Sequence, residues 1–254
     1  MNIYRFLFGA TAVLAASSAL ATNWVWDWNG GNAYNNAGGT INSIHAEYND
    51  ATNRMDWKTN FGNNPNGKKT DGYRLVVSPG PNPKGNDGEL AANYFDRSGG
   101  GSGNNPAVTV YAYNGVNGDN SWKDGSKASG TQTPDRILSS KLTQNWINAL
   151  TAVDEANGTR TFTLDIDATA IRNHVPLHGG PDPWTGSSFG EKLGLWFHPV
   201  VGISSAYSNG YLSDWRYKDQ GWFDGQNFTT VPEPGTILAL GAGIAALAAR
   251  RRRK

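Results

Sequence analysis

The sequence predicts an all-β body, an antiparallel sandwich of jelly-roll or lectin-like type, followed by a short C-terminal transmembrane helix. Three observations carry the body's class. Apolar residues alternate with polar ones in short runs, the period of a half-buried strand. Clusters of Gly, Asn and Pro separate those runs. No long helical period and no βαβ alternation is visible, and roughly nine to eleven short strands of this kind pack most simply as two antiparallel layers.

Taken in order, Asn23 to Asn29 reads NWVWDWN and places Trp24, Trp26 and Trp28 on one strand face. Ile44, Ala46 and Tyr48 share one side of the next strand. After the turn Asn49 to Asn53, residues Met55, Trp57, Thr59 and Phe61 alternate on the return, which makes a hairpin. Asp71 to Ser78 is a strand with a continuously apolar centre, Glu89 to Phe95 another, and Ala107 to Tyr113 a third. The stretch Ile137 to Ala156 reads two ways. Leu138, Leu142, Trp146, Leu150 and Val153 recur at helical spacing, yet Ile147, Ala149, Thr151 and Val153 alternate into Asn157-Gly158, a strong hairpin signal. A strand over Asn148 to Glu155 is preferred, with a short helix before it as the alternative. In Thr161 to Asp167, Phe162, Leu164 and Ile166 face inward while Thr163, Asp165 and Asp167 face out. Lys192 to Phe197 is a strand that Val200 to Ile203 extends after Pro199, and the aromatic tract Tyr207 to Gly225 holds a last strand or two.

The chain's two ends are read as addresses. Arg5, the apolar run Phe6 to Ala16 and the small-residue site Ala19-Leu20-Ala21 form a signal peptide, so the mature chain starts near Thr22. Residues 22–230 then form the exported domain and 231–254 a sorting and anchor segment. The domain holds 16 basic and 20 acidic residues, a net charge of −4, which argues against a nucleic-acid partner. There is no cysteine, which excludes thiol catalysis and thiolate metal sites and leaves packing to hold an exported fold.

Val231-Pro232-Glu233-Pro234-Gly235, then the apolar stretch Thr236 to Ala249, then Arg250, Arg251, Arg252, Arg253 and Lys254 resemble a PEP-CTERM protein-sorting signal. The resemblance covers these 24 residues and the export signal, not the body. It implies a Gram-negative cell, a transient membrane anchor, and recognition of Pro232, Glu233 and Pro234 by an exosortase-type enzyme, with the protein then directed to the surface. It also implies an association with exopolysaccharide or biofilm matrix. Physics agrees with the tail. Its 14 apolar residues reach about 21 Å as a helix, short of a bilayer core of about 30 Å, and the basic cluster stays on the cytoplasmic side.

Chemistry-bearing patterns within the body are sparse. Gly186-Ser187-Ser188-Phe189-Gly190 fits G-x-S-x-G but lacks the strand-to-helix elbow, so a turn is the expectation. His174, His178 and Asp182 have metal-ligand chemistry, but Pro176, Gly179, Gly180 and Pro181 forbid the helix that would align them. Asp119 to Asp124 alternates oxygen side chains, a loose calcium loop at most, without the twelfth-position Glu of an EF-hand. Asp165 and Asp167 share a strand face about 6.6 Å apart, as solvated charge or as a glycosidase pair. Exposed tryptophans stack on sugars, so Trp24, Trp26, Trp28, Trp215 and Trp222 are candidate sugar contacts, although aromatics at period two are ordinarily the buried face of a sheet. The expectation is a non-catalytic binding or structural protein of an extracellular polysaccharide matrix, without a cofactor. The alternative is a secreted glycoside hydrolase.

Overall fold

Period-two alternation makes one face of a strand apolar, and two such faces hide each other from water. The computed structural model describes residues 22–30, 35–80, 83, 87–114, 135–176 and 184–232. The first sheet joins, in spatial order, β15 (Val231–Pro232), β1 (Asn23–Trp28), β2 (Thr40–Asn49), β3 (Arg54–Gly62), β9 (Arg160–Asp167) and β8 (Ile147–Asp154). The second joins β13 (Asp219–Gln220), β10 (Lys192–Val201), β4 (Gly72–Ser78), β5 (Asp87–Asp96), β6 (Ala107–Asn114) and β7 (Arg136–Ser139), with β14 (Phe223–Thr229) also on β10. A hairpin, β11 (Ser204–Ser208) and β12 (Tyr211–Arg216), forms a small third sheet. Every pairing between these strands is antiparallel. One short helix, α1 (Thr169–Arg172), follows β9. The body is thus the all-β sandwich expected; the anchor segment Thr236 to Ala249 lies outside the described residues.

The core fills the space between the two large sheets. From the first come Ile44, Ala46 and Tyr48, then Met55, Trp57 and Phe61, then Phe162, Leu164 and Ile166, each at most 1% exposed. Tyr73, Leu75, Phe95, Val108, Leu195 and Phe197 meet them from the second. The Phe197 ring lies 5.2 Å from Trp57 and 5.1 Å from Tyr73, centroid to centroid, both edge-on, the arrangement aromatic quadrupoles favour.

The second sheet is covered on its other side as well. Leu212 and Trp215 of the β11–β12 hairpin bury Val76, Leu90, Ala92, Tyr94, Tyr111 and Trp196. This explains the continuously apolar centre of β4, whose seven residues, Arg74 and Ser78 included, are all buried.

Two local features differ from expectation, while the extension of the Lys192 strand past Pro199 is as expected. The aromatic tract Tyr207 to Gly225 holds the end of β11, all of β12 and β13 and the start of β14, not one or two strands. Asn209 and Gly210 both take positive φ, 52° and 78°, and close the β11–β12 hairpin. Before β8 the chain forms strand β7 and turns, not a helix, and Leu142 of the helical stripe is 55% exposed. β10 runs unbroken through Pro199 because its partner on one side changes there, from β14 ending at Phe197 to β13 starting at Val200. The Pro199 carbonyl accepts the Gly221 N–H at 2.9 Å on that side, so the absent N–H costs no ladder bond.

Candidate functional site

The outer face of the first sheet alternates against the core, so its residues are polar by the same period that buries their neighbours. No second apolar layer is built on this face among the described residues. Register sets the side chains in rows across β1, β2, β3 and β9. Asn23, Asn49, Arg54 and Asp167 form one row. Val25, Glu47, Asp56 and Asp165 form the next, then Asp27, His45, Lys58 and Thr163. An open cleft of about 470 Å³ lies over the first two rows, lined among others by Asn23, Glu47, Arg54, Asp56, Asn148 and Asp167.

The middle row opposes three carboxylates on adjacent strands, and like charges directly opposite destabilise a sheet. The outer two are compensated. Arg54 grips Asp165 in a bidentate pair, Nε–Oδ1 2.9 Å and Nη2–Oδ2 2.6 Å, and Asn148 Nδ2 donates to Oδ1 at 3.0 Å. Burial alone pushes the Asp165 carboxyl up, but these bonds outweigh it and hold the group below the usual carboxylate range. Glu47 meets His45 Nε2 at 2.9 Å, and the other ring nitrogen, Nδ1, meets Asp27 at 2.7 Å. Partial burial lowers the His45 pKa, and its two carboxylate partners more than reverse this, leaving it raised. Asp56 has only the fields of Arg54 and His45. Burial, then the charges of Asp165 and Glu47, push its carboxyl up.

A fourth row continues the polar face. Asn42 Nδ2 donates to Asn60 Oδ1 at 2.8 Å, and Asn60 Nδ2 donates to the Thr159 and Thr161 hydroxyls, each at 2.9 Å. The face is therefore preorganised, its amides and hydroxyls held by one another before any ligand arrives.

The carboxylates anticipated from sequence sit on this face in a different partnership. Asp165 pairs across the strands with Asp56, and direct cross-strand neighbours lie about 4.5–5.5 Å apart at Cβ. Asp167 lines the cleft and accepts the Thr169 N–H at 2.9 Å. The reading of Asp165 as solvated charge is corrected: it is 6% exposed beneath Arg54 and Asn148. Sequence reasoning missed Arg54, Asp56, Glu47 and His45, although each falls on the polar phase of a strand whose apolar phase it recognised.

The tryptophans fare differently from one another. Trp26 is 5% exposed and stacks between Trp28, 6.5 Å away, and Trp57, 6.4 Å away. Trp24 and Trp28 are half-buried and packed on the same core. Trp215 is 5% exposed, edge-on to Tyr94 at 5.6 Å. A stacking platform on Trp26 or Trp215 is corrected accordingly: their faces are already covered, because Trp26 lies on the inward phase of β1 and Trp215 on the face of the hairpin that packs against the second sheet. Trp222 is 43% exposed, its backbone bridged to Asn35.

The remaining patterns are structural where they are described. Ser188, the central serine of the G-x-S-x-G pattern, is 8% exposed, and its neighbour Ser187 is fully buried and accepts a hydrogen bond from Asn93 Nδ2 at 3.3 Å, so these residues form no exposed nucleophile elbow. His174 Nε2 meets Asp135 at 3.0 Å, while His178, Asp182 and the loop Asp119 to Asp124 lie outside the described residues. Among the described residues no group of His, Asp and Glu is arranged to hold a metal ion, and no helix is long and apolar enough to cross a membrane. Of the sorting residues, Pro232 ends β15; Glu233, Pro234, Arg250 to Arg253 and Lys254 lie outside the described residues, as does the signal peptide.

An all-β exported body closed by a sorting segment is the class these features define. Residues 230–253 match the family model described as the PEP-CTERM protein-sorting motif. No curated protein and no solved structure matches the chain. The sorting motif marks an exported protein, transiently anchored in the membrane of a Gram-negative bacterium and processed by an exosortase.

Proposed function

We propose that the body is a non-catalytic, polysaccharide-binding component of the extracellular matrix, delivered to the cell surface by its tail, with the outer face of the first sheet as the binding surface. The observation that supports this most is the uncovered run of four largely polar rows, in which Arg54, Asp165, Glu47, His45, Asn42 and Asn60 are held by hydrogen bonds. Sugar hydroxyls both donate and accept, and planar amide and carboxylate groups bind neighbouring pairs of them. The binding chemistry is thus hydrogen bonding on a flat face rather than aromatic stacking, with Trp222 available at another edge. A glycan array probed with the purified exported protein tests it. Binding to at least one polysaccharide, weakened tenfold or more by Arg54→Ala together with Asn49→Ala, is expected. A folded protein, shown by near-ultraviolet circular dichroism, that binds none of them overturns it.

One observation favours glycoside hydrolysis as a second reading. Asp56 and Asp165 face each other across β3 and β9, one carboxyl pushed up and the other held down, the division an acid and its partner need. Release of reducing ends from the bound polysaccharide, abolished by Asp56→Asn with binding retained, would establish hydrolysis; no release assigns the pair to binding.

A further inference from the structure

The matched sorting motif begins inside the folded body. Thr230 is 4% exposed; its N–H donates to the Glu191 carbonyl at 3.2 Å and its hydroxyl to the Gly190 carbonyl. The next two residues, Val231 and Pro232, form β15 on the edge of β1, with Val231 opposite Val25 and Pro232 opposite Trp24. The motif's first proline is therefore a strand residue of the sandwich.

An enzyme that cuts a peptide segment needs that segment's backbone accessible, and one recurring way to hold an extended segment is to add it as a strand to the binder's own sheet edge. β1 already occupies that role for Val231 and Pro232. The motif has little room to avoid the conflict. Only Glu233, Pro234 and Gly235 separate Pro232 from the apolar stretch at Thr236, a reach of at most about 14 Å over four steps at 3.3–3.6 Å per residue. The pairing is also weak enough to open. It spans two residues, and Pro232 has no N–H to give.

We propose that β15 is a latch: its pairing with β1 competes with the exosortase for the sorting motif, and processing proceeds from the unlatched state. The folded body thereby sets its own processing rate, because only the unlatched fraction presents the motif. This rests on exosortase processing of the tail, and the experiment separates the two.

The chain has no native cysteine, so Val25→Cys with Val231→Cys places one directed crosslink between opposed residues on the outer face. Val231 is 59% exposed and Val25 half-buried outside the core, so neither substitution disturbs packing. Directly opposed strand residues bring Cβ atoms within about 4.5–5.5 Å, near the disulfide range, and exported compartments are oxidising. In the producing cell, the crosslinked double variant is expected to accumulate at precursor size, processed at least tenfold more slowly, and reduction is expected to restore processing. Each single-cysteine variant should mature as the unsubstituted protein does. A double variant whose crosslink is confirmed by thiol labelling and which matures at the single-variant rate overturns the latch. An unsubstituted protein whose mature size is unchanged on deleting Pro232 to Pro234 overturns processing itself.

Discussion

Asp56 stands between two other carboxylates, Glu47 on β2 and Asp165 on β9, and of the three only Asp56 lacks a hydrogen bond from a described residue. Its ionisation is a cost to the fold. Asp56→Asn is therefore expected to stabilise the protein at neutral pH by about 0.2–1 kcal/mol, read from urea unfolding. Asp165 has the opposite sign, since its charge is what Arg54 and Asn148 bind. Asp165→Ala is expected to cost about 1.5–3 kcal/mol, the usual size of a hydrogen bond to a charged group. A single strand's alternation told which way Asp165 points. It did not tell what stands beside it, because the neighbours Asp56 and Arg54 lie about 110 positions away in sequence and are set by register. For the same reason His45, Glu47 and Asp56 were not legible as one constellation.

Elements that bury one clean face were legible. Ile44, Ala46 and Tyr48 of β2, Met55, Trp57 and Phe61 of β3, and Phe162, Leu164 and Ile166 of β9 follow the two-residue period, and the structure places each of them in the core. The Asn157-Gly158 turn between β8 and β9 was legible too, and Gly158 takes φ +86°. β7 was not. Leu138, Leu142 and Trp146 fall at helical spacing by coincidence, while the backbone of Ser140 bonds to Val108 of β6. The Asn209-Gly210 signal was overlooked within a tract whose alternation is shallow, half-buried against exposed. That hairpin is nonetheless a structural lid on the second sheet, so Trp215→Ala is expected to cost about 3 kcal/mol, measured by the same unfolding transition. Gly38 pins another approach. A Cβ there would stand 1.9 Å from the Pro199 carbonyl oxygen, so Gly38→Ala should force the preceding loop off β10 and cost about 1–3 kcal/mol.

At the scale of the molecule, the chain crosses between sheets several times, from β3 to β4, from β7 to β8, from β9 to β10 and finally to β15. Composition and period predict two layers but carry no record of which strand joins which. The tail is legible for the opposite reason: its three parts are contiguous. Charge pairing across the body sets its response to pH. Asp154, bonded to Arg160 and Lys69, is lowered to about 2, and Asp165 is lowered as well. Their stabilisation is present above the ordinary carboxylate value of about 3.9 and is lost as pH falls through the folded values. His45 is raised, so the contribution of its pairing with Asp27 and Glu47 is full below its ordinary value of about 6.5 and fades as pH rises through the folded one. Thermal unfolding across pH 2–9 should therefore show a steep acid limb and a shallower loss that sets in above about pH 6.5, the latter removed by His45→Gln. The claim on which the functional account turns is that the polar face of the first sheet holds polysaccharide. Its most direct measurement is equilibrium binding of the purified exported protein to the exopolysaccharide of the producing cell, with Arg54→Ala, Asn49→Ala as the comparison. The account predicts saturable binding that this double variant weakens at least tenfold while its near-ultraviolet circular dichroism is unchanged. Absence of binding by the unsubstituted protein, or equal binding by the variant, would contradict it.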